Sequence, residues 1–472
     1  MKSALSLATA FILGLCSTAG AATLNVTAGA TPGACVACVN PAGGTLCTLQ
    51  DALAVAECNS EGDTLQVAAG TYSSAGGNTF TYVPDPDENF PLTVIGDAAP
   101  GASVIDGGSD SRGMFINISG LLADDNADIT IQNLTFQNGF ASDDGGGLFV
   151  GQPLDADITV DHCRFINNQA FSGDGGGLST DTLGDGVTTV SNNLFLGNAA
   201  IDSDGGGDGG GLFAEVFPGT ITIVNNIFAS NSADLTGGGI RTNVSDGVGK
   251  IQVTNNTLFN NGAGTDGGGI AIEIEDDTDV INIFNNIVWS NTADGDGDDI
   301  WTCEDGGTVN LFNNDFTEYF SAGTADPLGI CGPAPTVNQS ANLDVDPLFV
   351  DSANDDFHLT ALSPVIDQGD PLAPSMPSTD FDGNPRPAIP GTNPDMGALE
   401  FQPIPTPTPT PTPTAPPIPT PTPTPTPVLT QGGCLASLSG AAEGRAGAQA
   451  LFLLAPALLY YFRRRRFPTS VR

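Results

Sequence analysis

Apolar and polar residues alternate in short runs along the middle of the chain, and these runs recur about every thirty residues. Residues 220–224 and 269–274 alternate with the period of two that is typical of a half-buried strand. A shorter aromatic run, such as residues 194–196, lies between longer runs. No repeat contains the 3.6-residue period of a helix. The pattern therefore predicts three short strands per repeat, separated by glycine and asparagine.

Two motifs recur in the same register. The first reads apolar-x-Asn-Asn-x-apolar-x-x-Asn, as in residues 190–198, and its closing asparagines are Asn138, Asn168, Asn198, Asn231, Asn261 and Asn291. The second is Gly-Gly-Gly-Leu/Ile, beginning at Gly145, Gly175, Gly209, Gly237 and Gly267. A fixed period of this length indicates a repeat architecture. We expect an all-β, right-handed parallel β-helix with one coil per repeat, its coils stacked about 4.8 Å apart.

Stacked coils place equivalent residues directly over one another. We therefore predict an asparagine ladder, in which side-chain amides bond to the coils above and below, at Asn133, Asn193, Asn226, Asn256, Asn286 and Asn314. Cys163 occupies the ladder position of its own repeat, which predicts a buried free thiol. His162 precedes it and is predicted to stack rather than to act as a base.

Charge is distributed very unevenly. The formal net charge is -42, and between residues 23 and 433 the basic residues are Arg112, Arg164, Arg241, Lys250 and Arg386. So acidic a surface repels nucleic acid and anionic membranes. It is compatible with weak calcium binding, although no cofactor is required by any motif.

The two ends of the chain predict export and anchoring. Residues 1–21 have the basic start, apolar stretch and small-residue site of a signal peptide. Residues 403–430 are a Pro-Thr stalk, expected to be extended polyproline II. Residues 431–472 form a hydrophobic anchor or sorting tail that contains an arginine cluster at 463–466. The arginines predict a cytoplasmic C-terminus and therefore contact with the membrane through this tail.

Export favours disulfides over a zinc site for the cysteines of the N-terminal cap, residues 22–63. Residues 48–57 are predicted to form a helix that Thr48 and Asp51 cap, and this helix holds Cys47 and Cys58 too far apart to bond. Each of these two cysteines is therefore expected to pair with Cys35 or Cys38. A further bridge is predicted between Cys303 and Cys331.

Residues 64–340 are assigned to the β-helix. Residues 341–402 differ in being rich in turns, as in the segment Asp346-Pro347-Leu348-Phe349. We expect them to form a capping module that closes the C-terminal end of the coils.

Several segments resemble known sequence classes. Residues 47–53, followed by 63–65 and 69–72, resemble the CSLREA-type cap of bacterial surface β-helix proteins, with Thr48, Gln50 and Asp51 in place of the usual Ser, Arg and Glu. The repeats are similar to those of polymorphic outer-membrane proteins and pectate-lyase-like β-helices. Residues 344–401 resemble a module found beside interchangeable C-terminal anchors, and the Gly432-Gly433-Cys434 tail resembles bacterial sorting signals. The last resemblance implies a sorting protease or transpeptidase-like enzyme as a partner.

Candidate chemistry is sparse. A lyase of this fold needs a basic residue beside carboxylates, and the best candidates are Arg241 and Lys250 with Asp246. Motifs of polygalacturonase-like hydrolases do not occur. An acidic residue recurs beside the glycine motif, and calcium would relieve the repulsion within this row; the row contains Asp144, Asp174, Asp208, Asp266 and Asp296. Turn-forming Asp-Gly steps are the simpler interpretation of the same row.

Together these features favour an exported, surface-anchored and non-catalytic protein. It would be found at the bacterial cell surface or outer membrane, or be secreted after its tail is processed. It would act as an adhesive or structural element that binds a polysaccharide or another cell-surface protein. The alternatives are a polysaccharide lyase or glycoside hydrolase, and a calcium-dependent matrix component.

Overall fold

The computed structural model describes residues 22–403 apart from 37–38, 42, 86–88, 119–126, 203–206, 246, 305, 323–330 and 333. The signal peptide, most of the Pro-Thr stalk, the C-terminal tail, Cys38 and Asp246 lie outside the described residues. The chain winds repeatedly through four parallel sheets, which we name A to D in the order in which one coil visits them. The predicted β-helix is therefore confirmed.

Sheet A has twelve strands in the order β2-β1-β3-β6-β9-β13-β17-β21-β25-β29-β33-β36. They are β1 Ala22–Val26, β2 Leu46–Cys47, β3 Asp63–Val67, β6 Leu92–Gly96, β9 Ile129–Gln132, β13 Ile158–Asp161, β17 Val187–Ser191, β21 Gly219–Val224, β25 Gly249–Thr254, β29 Val280–Phe284, β33 Thr308–Phe312 and β36 Thr336–Ser340. The nine strands of sheet B are β4 Gly70–Ser73, β7 Ser103–Asp106, β10 Leu134–Gln137, β14 Arg164–Ile166, β18 Leu194–Leu196, β22 Ile227–Ala229, β26 Thr257–Phe259, β30 Ile287–Trp289 and β34 Asp315–Phe316.

Sheet C has six short strands: β11 Phe140–Ala141, β15 Gln169–Phe171, β19 Ala199–Ile201, β23 Ser232–Ala233, β27 Gly262–Ala263 and β31 Thr292–Ala293. Sheet D has nine: β5 Phe80–Tyr82, β8 Met114–Asn117, β12 Leu148–Leu154, β16 Leu178–Leu183, β20 Leu212–Phe217, β24 Ile240–Val244, β28 Ile270–Ile274, β32 Ile300–Glu304 and β35 Tyr319–Ser321. The prediction of three strands per coil missed sheet C, because runs of two or three residues are too short to show alternation.

The core is built from in-register stacks of identical or similar side chains. Four phenylalanines of sheet B, Phe136, Phe165, Phe195 and Phe228, stack face to face with ring centroids 5.2, 4.7 and 4.4 Å apart. All four are completely buried. Offset stacking of this kind adds to the free energy gained by removing the rings from water.

The glycine triplets form the tight corner between sheets C and D. Gly175 has a φ of +69°, which residues with a Cβ rarely adopt. A Cβ on the next residue, Gly176, would lie 2.4 Å from the carbonyl carbon of Ala199 in the adjacent coil. The triplet is therefore required both by its backbone conformation and by the close approach of the coils.

Two asparagine ladders run through the interior. The first contains Asn193, Asn226, Asn256, Asn286 and Asn314, all completely buried. The Asn226 Oδ1, for example, accepts hydrogen bonds from the backbone N–H and the side-chain amide of Asn193 at 2.8 and 3.0 Å. The second ladder uses the closing asparagines of the repeat motif, Asn168, Asn198, Asn231, Asn261 and Asn291. Sequence analysis found these residues but did not predict that they form a ladder.

The assignment of Asn133 to the first ladder was wrong. Asn133 has a φ of +57° and lies at the preceding, outward position of its coil. The register Thr135–Arg164 places Leu134, which is 1% exposed, at the inner position beside Cys163. Cys163 is a buried free cysteine whose backbone N–H donates to the Asn193 Oδ1 at 2.7 Å. The irregular spacing of the early coils caused this one-residue shift.

The N-terminal region joins the β-helix directly, because β1 pairs with β3 in sheet A. Helix α1, Leu49–Ala56, begins after Thr48, whose Oγ1 accepts the backbone N–H of Asp51 at 3.1 Å. A disulfide joins Cys35 to Cys47, and Cys58 is also disulfide-bonded. No helix in the described part of the chain is both long and apolar enough to cross a membrane.

Asn342 continues the first ladder, since its Oδ1 accepts the backbone N–H of Asn314 at 3.0 Å. Residues 346–403 then lie along the flank of the coils, whereas we expected residues 341–402 to close their C-terminal end. This flank module contains the antiparallel strands β37 Phe349–Asp351 and β38 Asp356–Leu359, joined by a 3-10 helix at Ser352–Asn354. The module docks on a row of outward asparagines, each of which comes one residue before an asparagine of the first ladder. The side-chain amides of this row donate to carbonyl oxygens of the module, and the row contains Asn225, Asn255, Asn285 and Asn313.

A buried arginine of the module completes this interface. Arg386 donates to the carbonyl oxygens of Asp395, Gly397 and Ala398 and to the Asn225 Oδ1. Its guanidinium lies 3.8 Å from a Glu400 carboxylate oxygen. Side-chain amides and one buried charge pair therefore hold the module on the coils. The repeat pattern did not predict these contacts.

Candidate functional site

The outward surface of sheet D carries ionisable side chains together with aromatic rings. Successive residues of a strand point to opposite faces, so every second residue of each strand contributes to this surface. The first outward column contains Phe115, Phe149, Ser179, Phe213, Arg241, Ala271, Trp301 and Phe320. The second contains Asn117, Gly151, Asp181, Glu215, Asn243, Glu273 and Cys303. We call the two columns together the sheet D face.

The predicted calcium row borders this face at the corner before sheet D. Asp144 Oδ1 accepts the backbone N–H of Asp174 at 2.9 Å, and Asp174 Oδ1 accepts that of Asp208 at 2.8 Å. Asp266 Oδ1 likewise accepts the backbone N–H of Asp296 at 2.7 Å. These carboxylates therefore satisfy the turn of the next coil. Among the described residues no group of three or more His, Cys, Asp or Glu side chains could hold a metal ion, so calcium binding stays a prediction.

Two carboxyl groups of the site hold a proton at unusually high pH. Burial raises the pKa of Asp181 to about 7, and the charges of Asp144, Glu215 and Asp174 act in the same direction. Burial likewise raises the pKa of Asp174 to about 6, although its hydrogen bond with the Asp208 backbone opposes the shift. At pH 7 Asp181 is therefore about half protonated and can donate a hydrogen bond, whereas Asp174 is mostly ionised and accepts.

Asp181 and Glu215 are direct neighbours in the second column. Burial also raises the pKa of Glu215, while its hydrogen bond from the Asn243 amide lowers it. That bond measures 2.8 Å from Asn243 Nδ2 to Glu215 Oε1. The pair has the composition that acid–base chemistry needs, a protonated carboxyl beside a second carboxyl group.

Some hydrogen-bonding atoms of the face have no partner in the described structure. The hydroxyl of Ser179, a residue that is 1% exposed, is buried without a hydrogen bond. The same is true of the Asn243 Oδ1 and the Arg241 Nε. Buried polar atoms without partners cost stability, and these three lie directly beneath the surface of the face.

Arg241 and Lys250, two of the three residues proposed for a lyase site, lie on different sheets. Arg241 lies on the sheet D face, where its guanidinium pairs with Glu273 and donates to the Thr242 carbonyl oxygen at 2.7 Å. Asp208 Oδ2 is 4.0 Å from the Arg241 Nε. Lys250 lies on sheet A, in register with Thr220 and Val280. Arg241 is therefore held as a paired cation, and Asp246 lies outside the described residues.

Aromatic rings lie at both ends of the face. Phe115 and Phe149 stack with centroids 5.2 Å apart, and the guanidinium of Arg112 lies 5.0 Å from the Phe115 ring centroid. Trp301 and Phe320 are neighbours at the other end. Phe213 is the one ring between the two ends, where Ser179, Arg241 and Ala271 occupy the other positions of the column.

Sequence analysis missed Asp181, Glu215 and the aromatic column. A usable signal was present, because Asp181, Glu215, Asn243 and Glu273 all follow the first glycine of their triplet by the same number of residues. Aligning the repeats on that glycine would have shown one polar column. It could not have shown which members are buried, since burial depends on the neighbouring coils.

The comparisons with known proteins concern the fold. Residues 107–325 match the family model described as right handed beta helix region. The fold is a right-handed parallel β-helix. The crystal structure of pectate lyase Pel9A is similar with a TM-score of 0.38 and 14% sequence identity, over 81% of this chain and 97% of that chain. No curated protein matches this chain.

Proposed function

We propose that this protein binds a neutral polysaccharide along the sheet D face and does not cleave it. The observation that carries the proposal is an in-register column of carboxyl and amide side chains from Asp181 to Glu273, with Phe213 beside it and further aromatic rings at both ends of the neighbouring column. Aromatic rings pack against the apolar faces of sugar rings, while carboxyl and amide groups bond to hydroxyls. Stacked coils place successive polar side chains about 4.8 Å apart along one line, as a linear polymer requires.

Charge favours a neutral ligand. The net charge of -42 repels polyanions. The one cation within the two columns, Arg241, is already paired with Glu273. An acidic polysaccharide would therefore meet carboxylates without an available positive group.

Hydrolysis of the same polysaccharide is a second candidate. It is favoured by one observation, the adjacency of Asp181, whose pKa is about 7, to Glu215. A protonated Asp181 could give its proton to a glycosidic oxygen while Glu215 activates water. We rank binding first because it draws on both columns of the face, whereas hydrolysis rests on this single pair.

The cellular setting belongs to the same proposal. The signal-like residues 1–21 and the arginine-rich tail support export and retention at a bacterial surface. Processing of the tail by a sorting protease or transpeptidase-like enzyme would release the protein or transfer it to another anchor. A second cell-surface protein as the ligand, and a calcium-dependent role in a matrix, are rival outcomes.

Affinity electrophoresis tests the proposal with the chain that begins at residue 22. Gels that contain neutral or acidic polysaccharides are run at pH 7, and reducing ends are assayed in parallel. We expect retardation by at least one neutral polysaccharide, loss of it in Trp301→Ala and Phe213→Ala, and no new reducing ends. Phe171→Ala, which removes a 38% exposed ring from sheet C, is the matched control.

Each result has a distinct meaning. New reducing ends that disappear in Asp181→Asn would replace binding by hydrolysis as the function. Retardation that persists in both aromatic variants would show that the polysaccharide binds elsewhere.

A further inference from the structure

Arg164 is an exception among the four arginines that the structure describes. Arg112 pairs with Asp143, Arg241 with Glu273, and Arg386 with Glu400. Among the described residues no carboxylate oxygen lies within 4.0 Å of the Arg164 side chain, and the side chain donates no hydrogen bond. An arginine left without a partner in a chain of net charge -42 is unexpected.

Arg164 lies where the flank module meets sheet B, and it lines two neighbouring cavities there. The volumes of these cavities are about 420 Å³ and 320 Å³. Phe381 and Asp382 of the module also line both. The guanidinium is therefore close to space that a small ligand could fill.

One wall of the larger cavity is apolar. Leu194 and Ile227 follow Arg164 in register on successive coils of sheet B. The module covers them with Phe357 and Leu399, and these four side chains belong to one buried cluster. A ligand in this cavity would contact the Arg164 guanidinium at one end and apolar side chains at the other.

The carboxylates around the cavities are already engaged. His358 bonds through Nδ1 to Asp356 Oδ1 at 2.6 Å and through Nε2 to Asp382 Oδ2 at 2.8 Å. At the smaller cavity His162 bonds to Asp161 at 2.7 Å. Both histidines of the chain therefore lie at these cavities, and they hold nearby carboxylates that could otherwise pair with Arg164.

We propose that Arg164 binds the carboxylate of a small organic acid whose apolar body packs against Leu194 and Ile227. A guanidinium binds a carboxylate through two parallel hydrogen bonds, which suits a planar monoanion. Asp97, Asp355, Asp356 and Asp382 line the same cavities and repel every anion, but they repel phosphates and other multiply charged anions more strongly than a monoanion. The site is on sheet B and is independent of the polysaccharide proposed for sheet D.

Phenylacetate is the probe, and phenylacetamide is its neutral isostere. Binding is followed by ligand-observed NMR titration of the chain that begins at residue 22. An affinity in the millimolar range is expected for a ligand of this size. Phenylacetate should bind about tenfold more tightly than phenylacetamide, because the charged pair is formed only by the acid.

Arg164→Gln should remove that tenfold preference, and Arg164→Lys should keep part of it. Lys250→Gln removes the same charge from the exposed side of sheet A and should leave the preference unchanged. Thermal melting of each variant checks that it is folded. Equal binding of the two probes to the unchanged protein, undetectable binding of phenylacetate, or a preference retained in Arg164→Gln would each overturn the proposal.

Discussion

The buried asparagine ladders and the aspartate row at the corner before sheet D both connect adjacent coils by side-chain hydrogen bonds, but with different chemical groups. In both, a side-chain oxygen accepts a backbone N–H from the adjacent coil, as Asn256 Oδ1 does for Asn226 at 2.9 Å and Asp144 Oδ1 for Asp174 at 2.9 Å. In the interior the side chain must also donate, because carbonyl oxygens there have no water. At the half-buried corner an acceptor is sufficient, and a carboxylate can serve.

This difference makes the two rows respond to different conditions. The interior ladder is uncharged and therefore independent of pH and salt. The outer row and its neighbour Asp181 carry carboxyl groups whose charges repel one another and whose protonation changes near neutral pH. Stability should therefore depend on the ladder, and sensitivity to solution conditions should depend on the outer row.

Removing one amide from the ladder should cause the largest loss of stability. Asn256→Leu leaves the Asn226 N–H and the Ile223 carbonyl oxygen, which are 2.9 Å from Asn256 atoms, without partners. Each buried unpaired group costs about 1–3 kcal/mol, so we expect a loss of about 3–5 kcal/mol. The shift of the urea midpoint, with a check that the transition has one step, measures it.

The matched control is Asp208→Leu in the outer row. It removes the acceptor of the Thr236 backbone N–H at 2.8 Å, a group that water can reach. A loss of about 1 kcal/mol is expected. Equal losses in the two variants would contradict the expectation that the ladder contributes more to the free energy of unfolding than the outer row does.

A pH effect of intermediate size is expected from Asp181. Its pKa is raised from 3.8 to about 7, so the folded protein binds this proton more tightly than the unfolded chain does. The resulting stabilisation is complete below pH 3.8 and is lost as the pH rises through 7. Asp181→Asn should therefore be more stable than the unchanged protein at pH 8.5, by about 1–3 kcal/mol after allowance for solvent screening. The difference should shrink progressively toward pH 4.

Urea midpoints at a series of pH values test this expectation. Asp185→Asn removes the same charge from the exposed turn after β16 and controls for the change in net charge. A constant gain at all pH values would mean that general repulsion, and not the Asp181 proton, determines the effect.

The same contrast explains why the sequence predicts the interior ladder better than the outer surfaces. The ladder and the core depend on identical residues at a fixed spacing, so the period of thirty predicted both the coils and five of the six proposed ladder positions. Asn133 failed because an irregular coil shifts the register by one residue. The sheet D face contains different residues on successive coils, and its chemistry depends on burial that no local pattern carries. The flank module was misplaced for a related reason, since nothing in residues 341–402 shows which surface of the coils they contact.

Calcium should produce the smallest effect, and it tests the outer row alone. Stacked carboxylates at this corner repel one another, and a weakly bound divalent cation would reduce that repulsion. With a dissociation constant on the order of 1 mM, 5 mM calcium adds about 1 kcal/mol, or roughly 2 °C in melting temperature. The pKa of Asp174, about 6, predicts that the rise is smaller at pH 5 than at pH 8, because a protonated carboxyl attracts calcium less. Melting curves in calcium and in chelator at both pH values provide the measurement, with Asp174→Asn expected to reduce the rise and Asp185→Asn to preserve it. Identical curves in calcium and chelator would mean that hydrogen bonds from the backbone N–H groups of the next coil stabilise these carboxylates without a cation. The aspartates would then be turn residues only.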